Sequence, residues 1–482
     1  MIMRTMTGWS SGRGFNRRRD LTFLFSIYAA LTFVSNFPSG FTNSSVNTAV
    51  EALDAFILHS YRHRGIRISD GTLSLVRSAA LNCWYFFQIF GALLSPMFLD
   101  EYGRRQGYII GCSVTLVSTL VQLSAIRYAL PEMLIVGRSL TAIASPLCDA
   151  CLILYLQETA PLSMRGSASF FCEIGHGAMC VLGSLLGMRT VLGYSLEPLL
   201  VSSIGPVIAS LFIVCFIPET PKFLLIMRND RAGAIRSLDF FLGEGERGEE
   251  RHGEILYQME KERIFEGERR PSSYAECFST WHIRRAIVLA CAVLVLTLSF
   301  YPLLQSSTFF FLHINVPPTV SEVFSMVLMV VFTLACIAGT KIIDRYRRRS
   351  LILGFGIITN AFLVVFALLS SLSHHYAILK WAALAAILCY SVAFGMVLGP
   401  LSWFIAPEMV SQRHRATVFS ICYAISNALI AGTNFATLPL YGVMGAGGLA
   451  THEVVAVIRA SRGDSIDEDF HPILPVRGRP RF

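Results

Sequence analysis

Two stretches decide how this chain folds: Asp100-Glu-Tyr-Gly-Arg104-Arg105 and, 244 positions later, Asp344-Arg-Tyr-Arg-Arg348-Arg349. Each is a short basic loop closed between two long apolar runs. A second pair keeps the same order. Glu158 and Arg165 (ETAPLSMR) recur 250 positions on as Glu408 and Arg415 (EMVSQRHR), with the same seven-residue offset. One such match would be coincidence; two in the same order mark an internal repeat.

The composition fixes the medium in which the repeat sits. The 482 residues are 54% hydrophobic and 15% charged, where a soluble domain carries roughly 25% charged residues. Mean hydropathy is +0.56. A bilayer core about 30 Å thick needs roughly 20 apolar residues per helix. Runs of that kind cover Leu21–Pro38, Ser78–Leu99, Gly107–Ile126, Pro198–Ile217, Ala286–Leu312, Val323–Thr340, Leu351–Ser373, Trp381–Ala406 and Ala416–Val443. Met133–Leu156 and Ser167–Met188 join them despite Arg138, Asp149 and Glu173. Eleven spans are expected, in an all-α membrane protein.

Arginines set the orientation. Arg4, Arg13, Arg17, Arg18 and Arg19 hold the first segment in the cytoplasm. Alternate loops then carry Arg104 and Arg105, Arg165, Arg345 to Arg349, and Arg413 with Arg415. The net charge of +8 thus reports topology, and nucleic acid is not an expected partner. The lipid bilayer is. Residues 218–285 form a charge-dense cytoplasmic linker. The expected division is a cytoplasmic start (1–20), a first bundle (21–217), the linker (218–285), a second bundle (286–449) and a polar tail (450–482). The tail (THEVVAVIRASRGDSIDEDFHP) offers no twelfth span. No cleavable signal is evident in the first apolar run.

Twelve cysteines suggest disulfides until they are placed: all but Cys277 fall in apolar stretches, where a thiol packs as a small hydrophobe. Cys148 and Cys151 form a C-x-x-C without a βαβ context, so no redox role is expected. No phosphate loop, zinc motif or nucleophile elbow is present, and neither enzymatic activity nor a cofactor or metal is expected. Asn43-Ser-Ser is the one glycosylation sequon, close to the first span.

Parallel helical halves related by an axis along the membrane normal are a transporter architecture, with the solute held at mid-depth between them. The loop acids and paired arginines can make bidentate contacts to carboxylates and helix C-termini. Contacts of this kind that form in one conformation and break in another would latch alternating access. Positive-inside topology alone would account for the arginines, though not for the matched acids.

Longer motifs then resemble a known family. GRRQ after Asp100, GRS at Gly137–Ser139, ETAPLSMRG at Glu158–Gly166, PETPKFLL at Pro218–Leu225 and GPLSWFIAPEMVSQRHR at Gly399–Arg415 are similar to the sugar-porter branch of the major facilitator superfamily, hexose facilitators in particular. The resemblance implies two pseudo-symmetric six-helix bundles, of which the twelfth helix is missing from the apolar pattern here. It implies a multi-pass protein of the plasma membrane that moves a hexose-like solute by facilitated diffusion. It assigns gating and inter-helix charge positions to Asp100, Gly103, Arg104, Arg105, Arg138, Glu158, Arg165, Glu219, Asp344, Arg348, Arg349, Glu408 and Arg415. Gly399 and Pro400 fall at a hinge in the tenth span, Trp403 at the aromatic floor of the sugar pocket, and Asn427 at a sugar-contacting amide.

Departures are as informative. Glu173 stands where the family binds sugar through a glutamine. Thr297-Leu-Ser299 replaces Gln-Leu-Ser, Phe300-Tyr301 replaces two glutamines, Ser306 replaces an Asn, and Phe332 replaces another. Thr297 and Ser306 are the remaining polar candidates there. Asp149, Glu173 and His176 are ionisable groups at membrane depth, where such groups usually serve function. Glu173 as proton carrier, with His176 or Asp149 tuning it, is one reading. A neutral or paired Glu173 touching solute or a neighbouring helix is the other. The alternative functions are a proton-coupled symporter of a different small polar solute, or a non-transporting sensor or truncated inactive relative that keeps the scaffold.

Overall fold

The computed structural model describes residues 17–160, 165–242, 253, 255–261, 273–301, 303, 307, 310, 311, 314–343, 345–373, 376 and 378–444. Asp344, Ser306 and the tail after Met444 lie outside them, as do the side chains of Asn43 and Arg165. Among the described residues there is no strand.

The first bundle begins with α1 (Arg17–Asn36), continued through a π turn at Phe37–Phe41 into α2 (Thr42–Thr48). Pro38 is the physical cause of that turn, since it offers no N–H to the helical ladder. A short α3 (Val50–His63) follows, then α4 (Asp70–Glu101), α5 (Arg104–Arg127), α6 (Pro131–Thr159), α7 (Arg165–Ser169), α8 (Phe171–Gly187) and α9 (Leu196–Phe216). The linker contributes α10 (Arg231–Leu242) and α11 (Tyr274–Ser279). The second bundle holds α12 (Trp281–Val295), α13 (Pro318–Ile343), α14 (Arg348–Leu372), α15 (Leu379–Ala393), α16 (Gly399–Glu408) and α17 (Arg415–Met444).

Eight helical stretches are long and apolar enough to cross a membrane by themselves, and each coincides with an expected span. The other three differ for identifiable reasons. The first span is divided by its π turn. In α4, Asn82, Gln88, Ser95 and Pro96 dilute the hydropathy of a 32-residue helix. In the seventh, the continuous helix α12 is only 15 residues long.

Each bundle has its own core. One is built around Leu31, Tyr108, Leu152 and Tyr155, the other around Phe310, Phe366, Ile387 and Leu401. Trp403 packs against both. Across the seam α4 runs along α17 and α8 along α13. Backbones come close there because side chains are small: a Cβ on Gly177 would lie 2.4 Å from Thr333 Oγ1.

The linker is more than a solvated spacer. Leu225, Ala234, Leu238, Leu256 and Met259 form a small apolar core of their own. Ser237 donates to the Glu219 carbonyl at 2.6 Å within this unit, and Arg228 donates to the Glu101 carbonyl at 2.6 Å, docking it on the first bundle. Alternating charge hides such a core, because its few apolar residues are widely spaced.

All twelve cysteines are free thiols. Cys148 and Cys151 are fully buried in α6.

Candidate functional site

A cavity of about 680 Å³ lies between the bundles, within the size range of small-molecule sites. Its deep end is lined by Gln88 on α4, Asp149 on α6, Glu173 and His176 on α8, Trp403 on α16, and Tyr423 and Asn427 on α17. From there it runs past Ser39 and Ser44 to Thr48, Glu51 and the Met188–Thr190 turn. That is the end opposite the arginine loops.

Polar groups reach this depth for reasons local to each helix. Glu173 and His176 are three residues apart, so α8 presents them on one face. Tyr423 and Asn427 are four apart on α17, and the Asn427 amide donates to the Tyr423 carbonyl at 3.0 Å. Asp149 is almost fully enclosed and accepts three hydroxyl bonds. Ser35 of α1 donates to Oδ1 at 2.8 Å, while Tyr423 and Ser145 donate to Oδ2 at 3.0 and 3.4 Å. The Tyr423 bond crosses the seam, tying the first bundle to the second. Glu173 is 8% exposed and forms no hydrogen bond among the described residues. The Trp403 and Tyr423 rings lie 5.0 Å apart, giving the floor of the cavity an aromatic surface.

Several sequence expectations need correction. Thr297 does not line the cavity; it lies in the turn just after α12, and its hydroxyl returns to the Leu294 carbonyl at 2.7 Å. Gly399 and Pro400 do not line it either. They begin α16 directly after a π turn at Phe394–Leu398, where Pro400 has no N–H to offer to the preceding turn. Phe300 and Phe332 occupy the family's amide positions as hydrocarbon core: Phe300 stacks on Phe394 at 4.1 Å and meets Phe332 at 4.9 Å. Tyr301, beside them, does face the cavity. Gln88, Tyr301 and Tyr423 were not singled out from sequence. Tyr423 was within reach, being one turn before Asn427 on a helix already assigned to the site.

The charged loops form a matching pair. Arg104 and Glu158 make a buried ion pair at 2.8 Å, with side-chain exposures of 3% and 0%. Arg104 also donates to the Leu99 carbonyl at 3.3 Å, and its guanidinium lies 4.9 Å from the Phe223 ring centre. In the second bundle Arg348 approaches Glu408 at 3.7 Å, donates to the Ile343 carbonyl and lies 5.7 Å from the Phe404 ring. Repeat spacing and repeat geometry coincide. Asp100 stands within electrostatic reach of Arg104 and Glu158, and the Thr220 hydroxyl donates to Glu158.

Gly103 has φ of +100°, a region that favours glycine. A Cβ there would fall 2.4 Å from Glu219 Oε2. That carboxylate accepts from the Arg105 amide at 3.0 Å and the Thr220 amide at 2.9 Å. Burial nevertheless holds Glu219 above the usual carboxylate range. Arg105 caps the Cys215 carbonyl at 2.7 Å. Arg349 lies in the first turn of α14, and Arg165 and Arg415 open α7 and α17. Arg138 lies far from this cluster, donating to the carbonyls of Ala80 at 2.7 Å and Thr42 at 3.4 Å.

Each of these two ion pairs lies inside one bundle. Three uncharged bonds cross the seam on the arginine side. Ser167 donates to the Thr340 carbonyl at 3.0 Å, Tyr274 to that of Leu93, and Ser420 to that of Ala92.

Two helical bundles meeting on a polar crevice, each with the same charged loop, define a membrane carrier. Residues 22–460 match the family described as sugar (and other) transporters, and the chain belongs to that family. Among its relatives, mouse facilitated glucose transporter member 9 is 25% identical over 430 residues, covering 86% of this chain and 77% of that protein. Chicken member 1 is 26% identical over 394 residues, covering 79% and 78%. The fold is that of the major facilitator superfamily. The proton:xylose symporter XylE bound to 6-bromo-6-deoxy-D-glucose superposes with a TM-score of 0.72 at 15% identity, covering 92% of this chain and 96% of that one. Partially occluded inward-open XylE from E. coli gives 0.69 at 13% identity, covering 92% and 100%. The protein is therefore a multi-pass membrane transporter.

Proposed function

We propose that the chain carries a sugar-like, hexose-sized solute across the plasma membrane by alternating access, as facilitated diffusion. The observation that supports this most is the mid-depth cavity whose aromatic floor, Trp403 against Tyr423, belongs to the second bundle while its acids belong to the first. Indole faces suit the apolar faces of a pyranose, and hydroxyls and amides suit its rim. On this reading residues 21–217 and 286–449 rock against each other about the site, with 218–285 as the cytoplasmic connection. The charged loops keep each bundle rigid while the uncharged seam contacts open and close.

Uptake of labelled hexoses into proteoliposomes tests the reading. Saturable flux is expected, with Trp403→Ala raising the half-saturation concentration roughly tenfold, since aromatic packing contributes ~0.5–1.5 kcal/mol beyond area burial. Absence of flux for every hexose and polyol tried would reject it in favour of a sensor.

A second reading, proton coupling, is favoured by one observation: Glu173 lines the cavity without a hydrogen-bond partner among the described residues. Solute-driven acidification of the vesicle lumen would then disappear in Glu173→Gln. Acidification unchanged in that variant would remove Glu173 as the carrier.

A further inference from the structure

Of the charged side chains that line the cavity, three are carboxylates, Glu51, Asp149 and Glu173, and one is a guanidinium, Arg189. Arg189 pairs with Glu51 at 3.2 Å, and the two are 81% and 82% exposed, so they cancel at the mouth. Among the described residues, the deep end keeps two carboxylates and neither Lys nor Arg. They are not equivalent. Asp149 accepts from Ser35, Ser145 and Tyr423 and needs nothing further. Glu173 lies close enough to feel the Asp149 charge but has no donor among the described residues. A buried carboxylate without a donor is costly unless a proton or a positive partner neutralises it.

We propose that the missing partner is the solute itself: the cavity takes a polyhydroxylated molecule bearing a protonated amine, with the ammonium group on Glu173. This deepens the transport reading and rests on it. An ammonium supplies the three donors that the Glu173 carboxylate lacks, and charge-assisted bonds of this kind are about twice as strong as neutral ones. The rings of Trp403, Tyr423 and Tyr301 line the same space, and aromatic faces attract a cation electrostatically. His176, on the same helical face, also faces this space. Asp149 adds a second negative charge that its hydroxyl donors hold in place. The same field repels anions, so a carboxylated sugar is excluded even where its ring would fit.

The test is competition in proteoliposomes carrying the full chain. Labelled glucosamine, glucose and glucuronate are compared at about pH 6.5, below the ~7.7–8.0 at which an α-amino group titrates. Glucosamine is expected to half-saturate at a concentration about tenfold below glucose, with glucuronate not carried. In Glu173→Gln the glucosamine-to-glucose ratio should fall toward one. Should that variant not fold, the wild-type protein in detergent gives an independent measure, because a ligand that binds the native state raises Tm. Glucosamine should raise it more than equal glucose. Equal or inverted preference among the three sugars, with flux intact, overturns the amine proposal and leaves the transporter standing. Acidification coupled to glucose entry, without any amine preference, also overturns it, since the partner of Glu173 would then be a proton. No flux of any of the three removes the transport reading itself.

Discussion

At the residue scale the decisive group is Asp149. Its two oxygens satisfy hydroxyls from three helices, and one of those helices belongs to the other bundle. Asp149→Asn turns an acceptor into a donor opposite hydroxyls that already donate, leaving a polar group unsatisfied at ~1–3 kcal/mol. Tyr423→Phe removes one donor and costs less. Because both changes break the same bond, their effects on thermal stability in detergent should be less than additive in the double variant. Strict additivity would show that the seam bond contributes no energy. Sequence alone marked Asp149 as functional, since a carboxylate in a span asks for a purpose. It offered Tyr423 only as the residue one turn before Asn427; packing of α6 against α17 is what brings that hydroxyl to Asp149. Thr297 failed for the converse reason. A lone hydroxyl in or just after a helix readily bonds the carbonyl three or four residues back, and nothing in the local sequence tells that from a solute contact.

At the element scale, the two charged loops are pseudo-equivalent in position and unequal in environment. Arg104 and Glu158 are sealed, with 3% and 0% exposure, whereas Arg348 and Glu408 keep 26% and 24%. Removing one partner of a buried pair costs ~3–5 kcal/mol, and loosening a solvated pair about 1 kcal/mol or less. Glu158→Gln should therefore lower the melting temperature of the detergent-solubilised protein far more than Glu408→Gln does. Equal shifts would mean that the first pair is hydrated in the working protein. Gly103→Ala should resemble Glu158→Gln. It forces a side chain into the left-handed region and against Glu219, and the loop that presents Arg104 and Arg105 would have to move. The loops were legible because charge between apolar runs stands out. Their closure within a bundle was not, since the partner Glu158 lies 54 residues from Arg104 and spacing says nothing of which helices neighbour. The linker core escaped for a related reason: Leu225 meets Leu238 and Leu256 only once the segment folds back.

At the scale of the whole molecule, the repeat gave away the architecture but not the state. Matching loops say that two halves exist, and no residue pattern says which end of the crevice is open. Here the crevice reaches the turns at Thr48 and Met188, while the seam on the arginine side is closed by hydroxyl-to-carbonyl bonds from Ser167, Tyr274 and Ser420. Such bonds suit a gate, since each contributes only ~0.5–1.5 kcal/mol net and neither side is left charged when it breaks. Cys172 lines the crevice and is partly exposed, which makes it a reporter. A membrane-impermeant thiol reagent added from outside should label Cys172, read site by site by mass spectrometry, and a transported solute should slow the labelling. Tyr274→Phe deletes the hydroxyl that reaches both Leu93 and, at 3.1 Å, Ser420. Losing that bond favours the state with the arginine side open, and ~1 kcal/mol shifts such an equilibrium about fivefold. Labelling of Cys172 from the cytoplasmic side of inverted vesicles should then rise by about that factor while labelling from outside falls. If both rates stay at the wild-type value, the Tyr274 hydroxyl does not hold the seam closed.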